Sequence, residues 1–210
     1  VTVHDAVHAQ YPQTIPFFSR LWYRFILPQC IRRAACIITV SETSREEIAR
    51  HLGVAHVRIH VCPNSIDTAA YFNTGIKPKE DVILFVGTIQ PRKNLANLLR
   101  AFAIAADSIP ASLVIAGASG WRNSAVAEVM DSLPARVRER ITFTGFVADT
   151  ELKTLYRNAR LFAAPSLHEG FGLIVLEAIA SGTAVLTSPR GALKEFFDGA
   201  AHFCDPENPE

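Results

Sequence analysis

Several features are missing from this 210-residue sequence, and each absence removes a class of function. There is no basic excess. Lys and Arg number 21 against 20 Asp and Glu, a formal net charge of +1, whereas a nucleic-acid protein normally carries a surplus of positive charge. That balance still leaves room for one phosphorylated ligand in a local basic spot. No apolar run reaches the ~18 residues of a membrane span. Cys30, Cys36, Cys62 and Cys204 are scattered without a CxxC, which argues against a zinc site or a redox pair. As free thiols they suit a reducing cytoplasm. A GxGxxG fingerprint is absent, which counts against NAD. The sequence opens on Val1 with no charged-then-apolar leader, so no signal peptide is expected. What is present is a 49% apolar composition, enough for a packed core and too apolar for disorder. The length allows one domain or one and a half.

Residues 82–204 alternate between two periods. Short apolar runs at 82–86 (VILFV), 113–117 (LVIAG), 141–146 (ITFTGF), 161–166 (LFAAPS), 184–188 (AVLTS) and 201–205 (AHFCD) read as strands buried on both faces. Between them lie helical segments at 94–106, 124–133, from Asp149 as a cap through Tyr156, 172–181 and 192–197. Six strands and five helical crossovers predict an α/β domain: a doubly wound parallel sheet with helices on both faces.

The first seventy residues are less complete. VTVHD reads as a strand, a helix is expected from about Pro16 to Ala35, and IITVS (37–41) as a second strand. A helix ending near Gly53 follows, with Glu46 and Glu47 at capping-box spacing from Thr43 and Ser44. VRIHVCP (57–63) is a third strand. Three strands bury both faces poorly, so this region is expected to be the second half of a domain whose opening half is missing. The expected division is a partial N-terminal domain (1–70), a linker (71–80) rich in turn residues, and a C-terminal domain (81–210).

In a six-stranded sheet of order 3-2-1-4-5-6, ligands bind beyond the carboxyl ends of strands 1 and 4. Those ends carry the loops 87–94 (GTIQPRKN) and 166–172 (SLHEGFG), the two most chemically unusual in the chain. Arg92 and Lys93 stand at a helix start, where the dipole disfavours cations. An anion there would be held by two charges and free backbone N–H groups; the alternative is a solvated basic pair. Gly170 and Gly172 let the backbone approach a ligand closely. Glu177 lies on an otherwise apolar helical face with Leu173, and a buried carboxylate needs partners. Ribose hydroxyls or a structural ion pair would serve. Glu169 reads as either a ligand-binding or an exposed loop acid. His4 ends the first strand, as a catalytic imidazole or a structural one.

SLHEGFGLIVLEAIASGTAVLTS, with Glu169 and Glu177 as an E-x7-E pair, resembles the signature of retaining glycosyltransferases of family 4. VHDAVHAQYP, ITVSETSREEI, VCPNSID, FVGTIQPRKNL, FTGFVADTELKTLYRNARLFAAPS and AAHFCDPENPE match the family in order, so the resemblance covers essentially the whole chain. It is nearest the mannosyltransferase-like branch acting on O-antigen and exopolysaccharide. It implies a GT-B fold, two Rossmann-like domains across a cleft, here truncated at both ends.

The resemblance implies the following roles. Arg92 and Lys93, with Gly87 and Thr88 beside them, neutralise the donor diphosphate, and backbone N–H groups of Gly170, Phe171, Gly172 and Leu173 bind the same phosphates. Glu169 holds hydroxyls of the transferred sugar, Glu177 the ribose. Phe146 and Val147 lie beside the base, and His4 reaches the sugar. Neither a metal nor a separate cofactor is expected: the donor substrate is GDP-mannose or a UDP-hexose. The acceptor is a glycan or a lipid-linked glycan, and nucleic acid is not a partner. Thr88 stands where many members carry Arg. The aromatic and basic segment Pro16–Arg33 suggests peripheral contact with the inner face of a membrane, or else a helix packed within the protein. Two further readings are a non-catalytic nucleotide-sugar-binding module and a sugar-nucleotide 2-epimerase of the same fold.

Overall fold

A computed structural model describes residues 1–12, 15–71, 79–121 and 123–209. Of the linker expected at 71–80, all but Tyr71, Lys79 and Glu80 lies outside the described residues. The chain forms two units. Unit 1 comprises Val1–Ser65, His168–Gly172 and Arg190–Asp198; unit 2 comprises Ile66–Leu167, Leu173–Pro189 and Gly199–Glu210.

Unit 1 contains helices α1 (Val7–Gln10), α2 (Phe17–Phe25) and α3 (Leu27–Arg33), strand β1 (Ile37–Thr39), helix α4 (Glu42–Leu52) and strand β2 (Ile59–Val61). β1 and β2 pair in parallel, with Ile37 opposite Ile59. The opening segment VTVHD forms a single bridge, Thr2 to Ile38, instead of the expected strand. Pairing stops because the chain turns at His4 and Asp5: Thr39 Oγ1 donates to the His4 carbonyl, and Asp5 Oδ1 accepts from the Val7 N–H as α1 begins. The single helix expected over 16–35 is two. Pro28 sits in the first turn of α3, and a proline can occupy that position but cannot continue a helix from α2.

The cap of α4 also differs from expectation. Ser41, in extended conformation, caps it by accepting from the Ser44 N–H at 2.9 Å, and Thr43 and Ser44 lie inside the helix. Gly53 ends it at φ 65°, the left-handed conformation glycine adopts without strain. Val3, Leu27, Ile31, Ile37, Ile48 and Ile59 pack as the core of this unit.

Unit 2 follows the expected alternation. After α5 (Thr68–Tyr71) come β3 (Glu80–Val86), α6 (Leu95–Ala105), β4 (Ser112–Ala116), α7 (Ser124–Ser132), α8 (Ala135–Arg138), β5 (Ile141–Gly145), α9 (Asp149–Asn158), β6 (Ala159–Ala164), α10 (Leu173–Ala180) and β7 (Ala184–Thr187). Helix α11 (Leu193–Phe197), which belongs to unit 1, leads to β8 (His202–Phe203). The six strands are parallel in the order β5-β4-β3-β6-β7-β8, the doubly wound arrangement predicted. Leu84, Phe85, Leu113, Ile115 and Phe162 are fully buried, as central strands of a two-sided sheet require. Leu95, Leu98, Leu99 and Phe102 of α6 cover part of one face. Asp149 is the first residue of α9, with Ala148 at the cap; its carboxylate pairs with Lys153 at 2.6 Å. An acid in the first turn still complements the helix dipole.

Candidate functional site

In unit 2 the strand order reverses between β3 and β6, and the loops leaving both strands meet there. The Leu167 N–H donates to the Arg92 carbonyl at 2.8 Å. Asn94 donates through Nδ2 to the carbonyls of Pro165 and Pro206, at 3.1 and 2.6 Å, from the left-handed conformation (φ 58°) that asparagine tolerates better than other side chains. Arg92 and Lys93 occupy a 3-10 turn, Pro91–Lys93, one residue before α6. Arg92 is half-buried, and Lys93 is only 8% exposed. The Lys93 side chain runs past Gly87: a Cβ on that glycine would lie 3.5 Å from Lys93 Cε and 3.8 Å from Nζ.

Thr88 is exposed beside Gly87. Phe146, just past β5, is 85% exposed, and Val147 is half-buried. An exposed aromatic ring offers a stacking face.

Glu177 lies on α10 and is half-buried. Its Oε2 accepts from the hydroxyl of Tyr156 at 3.0 Å, and the hydroxyl of Tyr71 also donates to it. Burial raises the carboxyl above its ordinary range, and the two phenols pull it part of the way back. The phenols respond in turn. Tyr71 is pushed up to about 12 by burial and by the Glu177 charge, and the same two causes push fully buried Tyr156 well above the ordinary phenol value. Among the described residues the hydrogen-bond partners of this carboxylate are thus tyrosines.

In unit 1 the segment His168–Gly172 packs against the start of the chain and against α4. Gly170 touches the His4-Asp5 turn so closely that a Cβ there would meet Asp5 Cβ at 2.8 Å and the His4 carbonyl at 3.3 Å. The Ser44 hydroxyl donates to the Gly170 carbonyl at 3.3 Å. Gly172 has φ 101°, and a Cβ there would strike Leu193 Cδ2 at 2.6 Å, so only glycine fits. Phe171 is buried against Phe196, ring centroids 4.6 Å apart. Glu169 is 8% exposed, and its carbonyl accepts from the Ala192 N–H at 2.8 Å. The structure therefore brings His4 and the 169–172 loop together in one unit. It groups Gly87, Arg92 and Lys93 in the other, which also holds Leu173 and Glu177.

One pair went unrecognised in the sequence. Nε2 of His168 lies 3.0 Å from both Oε1 and Oε2 of Glu47, and both residues are buried. Burial works to raise the Glu47 carboxyl, but the hydrogen bond and charge of His168, with Gln10 and His51 adding to them, bring it below the ordinary range. The available signal was Glu47 beside Ile48 and three residues after Ser44, an acid on the inward face of α4. The phenolic partners of Glu177 had no comparable signal.

Among the described residues no three His, Cys, Asp or Glu side chains converge to hold a metal ion. No described helix is long and apolar enough to cross a membrane.

Comparison with known proteins adds the following. Residues 67–210 match the family model for glycosyl transferases group 1, and residues 1–70 that for glycosyltransferase family 4. An O-antigen chain mannosyltransferase of Salmonella typhimurium is 30% identical over 208 residues, 99% of this chain and 57% of the relative. O-antigen chain mannosyltransferase B of Escherichia coli is 28% identical, over 99% of this chain and 57% of its own length. The Anabaena protein HepE, solved in complex with UDP-glucose, superposes with a TM-score of 0.81 at 20% identity, over 99% of this chain and 58% of that one. The chain thus spans somewhat more than half the length of these relatives.

Proposed function

This chain belongs to the GT-B glycosyltransferases of group 1 and family 4, and we propose from that membership that it transfers a hexosyl group, mannosyl foremost, from a nucleoside-diphosphate sugar to a glycan or lipid-linked acceptor in O-antigen or other cell-surface polysaccharide synthesis. The observation that carries this reading is the buried Lys93 beside Arg92 at the reversal of strand order. Two cations there compensate the charge that grows on a departing diphosphate, the transition-state charge an enzyme of this class must stabilise.

The remaining roles follow from the resemblance. Backbone N–H groups of Gly170, Phe171, Gly172 and Leu173 take the phosphates. Glu177 accepts from the ribose hydroxyls, and its tyrosine partners hold the carboxylate in position. Glu169 and His4 face the transferred sugar; Phe146 and Val147 lie along the base. In the retaining reaction the acceptor hydroxyl attacks the anomeric carbon from the side the diphosphate leaves. The bond to the diphosphate breaks as the new glycosidic bond forms, and a phosphate oxygen takes the acceptor proton. No metal and no separate cofactor are required.

Peripheral membrane contact is part of the same proposal. α2 exposes Phe17, Phe18, Trp22 and Phe25, with Arg20 and Arg24 interleaved, the composition of an interfacial helix. It would place the protein at the cytoplasmic face, where nucleotide sugars are found.

Incubation of the intact protein with radiolabelled GDP-mannose and UDP-glucose, with and without acceptor, tests the activity. Transfer of label, or its slow release by water, is the expected result. Saturable binding with neither transfer nor release would make the protein a binding module and overturn the catalytic reading.

A further inference from the structure

We propose that unit 1 carries a second anion site, a pocket for a phosphoryl group walled by α1, α2 and the end of α4. The cavity is about 450 Å³, within the range of small-ligand pockets, and its lining includes His8, Arg20, Tyr23, Arg24 and His51. Every residue of this lining and every argument below belongs to unit 1.

Charge is the first argument. No Asp or Glu stands between Asp5 and Glu42, while Arg20, Arg24, Arg32 and Arg33 all fall in that stretch. Among the described residues no acid lines the cavity. The nearest carboxylates lie outside the lining: Asp5 accepts from the Val7 N–H and Glu47 is held by His168, although their charges also reach His8 and His51. Order is the second. Arg20 Nε donates to the Ile15 carbonyl at 2.9 Å, which fixes the guanidinium plane. The His8 ring stacks on Tyr23, centroids 4.2 Å apart and 12° from parallel. A solvated basic patch needs neither restraint.

The third argument is an orphaned polar atom. Among the described residues His8 Nε2 is buried without a hydrogen-bond partner, and buried polar groups nearly always have one. Burial also pushes the His8 imidazole below its ordinary value; Asp5 opposes that shift and His51 adds to it. An anion in the cavity would favour the charged ring, and a turn of that ring would give Nε2 an acceptor. Two planar guanidinium forks match the oxygen geometry of a phosphate. A phosphomonoester or diphosphate is therefore the ligand class, arriving on a free small molecule or on a lipid headgroup.

Long-range ¹H–¹⁵N spectra of the histidine rings in the intact protein, assigned with His8→Asn and His51→Asn, test this directly with inorganic pyrophosphate as the probe. Millimolar pyrophosphate is expected to move the His8 and His51 signals. Arg20→Gln combined with Arg24→Gln should weaken that titration about tenfold or more, as loss of charge-assisted bonds implies. Because Arg20 also holds the Ile15 carbonyl, Arg24→Gln alone is the control for folding, and it should still weaken the titration. Ring signals unmoved by pyrophosphate, or an unchanged titration in Arg24→Gln, would overturn the site. Phosphatidylcholine vesicles with and without phosphatidylglycerol distinguish the source: competition by the anionic vesicles identifies a headgroup, and its absence a free phosphate. The readout sits at His8 and needs no sugar transfer, so it stands or falls separately from the transferase reading.

Discussion

Replacing Glu177 separates its two duties, because the carboxylate is an acceptor for two tyrosines and a proposed acceptor for ribose. Glu177→Gln keeps an oxygen for the Tyr156 hydroxyl, now at 3.0 Å, and removes the charge. Burial raises the folded-state pKa of Glu177 above its unfolded value. Between the two values the folded state holds more proton than the unfolded state, so stability falls as pH rises through that window. The wild type carries this penalty in full above the folded pKa and not at all below the ordinary Glu range. The Gln variant carries none. Its melting temperature should match the wild type near pH 4 and equal or exceed it at pH 8. Glu177→Ala instead leaves the buried Tyr156 hydroxyl short of its acceptor, a cost of about 1–3 kcal/mol, or roughly 2–12 °C for a chain of this size. Both variants lose charge-assisted bonds to ribose, about 1.5–3 kcal/mol, so affinity for GDP or UDP should fall about tenfold to hundredfold. Calorimetry for affinity and thermal melts at pH 4, 6 and 8 give both numbers. Unchanged nucleotide affinity in both variants would refute the ribose assignment. A Gln variant that melts below the wild type at pH 8 would refute the electrostatic argument.

Other outcomes follow from the same structure. The folded pKa of Glu47 is depressed, so the stability it contributes is present above the unfolded carboxylate pKa and lost as pH falls through the folded one. Glu47→Gln should lower stability by about 1.5–3 kcal/mol at neutral pH and flatten the acid limb of a urea-midpoint profile; a profile parallel to the wild type would contradict this. Gly170→Ala has to displace the His4-Asp5 turn, since its Cβ would sit 2.8 Å from Asp5 Cβ. It should cut transfer rate far more than it lowers melting temperature, and unchanged kinetics would remove that turn from the site. Transfer should survive EDTA; activity lost to EDTA and restored by Mg²⁺ would contradict the assignment of diphosphate neutralisation to Arg92 and Lys93.

Much of the fold was legible because its signals are local. Runs such as VILFV and LFAAPS alternate with segments of helical period, and that alternation carries a parallel sheet with it. The reversal of strand order then points to the loops of Arg92 and Glu169 before any side chain is placed. What was not legible depended on exceptions and distance. VTVHD has strand composition, but the Asp5 side chain captures the Val7 N–H and starts a helix instead. Thr43 and Ser44 satisfy capping-box spacing, yet Ser41 lies earlier and takes the bond first. Glu47 and His168 are 121 residues apart, so nothing local in the sequence pairs them. The tyrosines on Glu177 were equally hidden, since Tyr156 reads simply as an apolar position on α9.

The proposed activity requires that Lys93 and Arg92 hold the diphosphate of a nucleotide sugar. Thermal stabilisation of the intact protein across a panel of GDP- and UDP-hexoses tests it most directly, because a ligand that binds only the folded state raises its melting temperature. The expected result is a clear rise with at least one donor that collapses in Lys93→Ala. A panel that leaves the melting temperature unmoved, or a rise that Lys93→Ala retains in full, would contradict it.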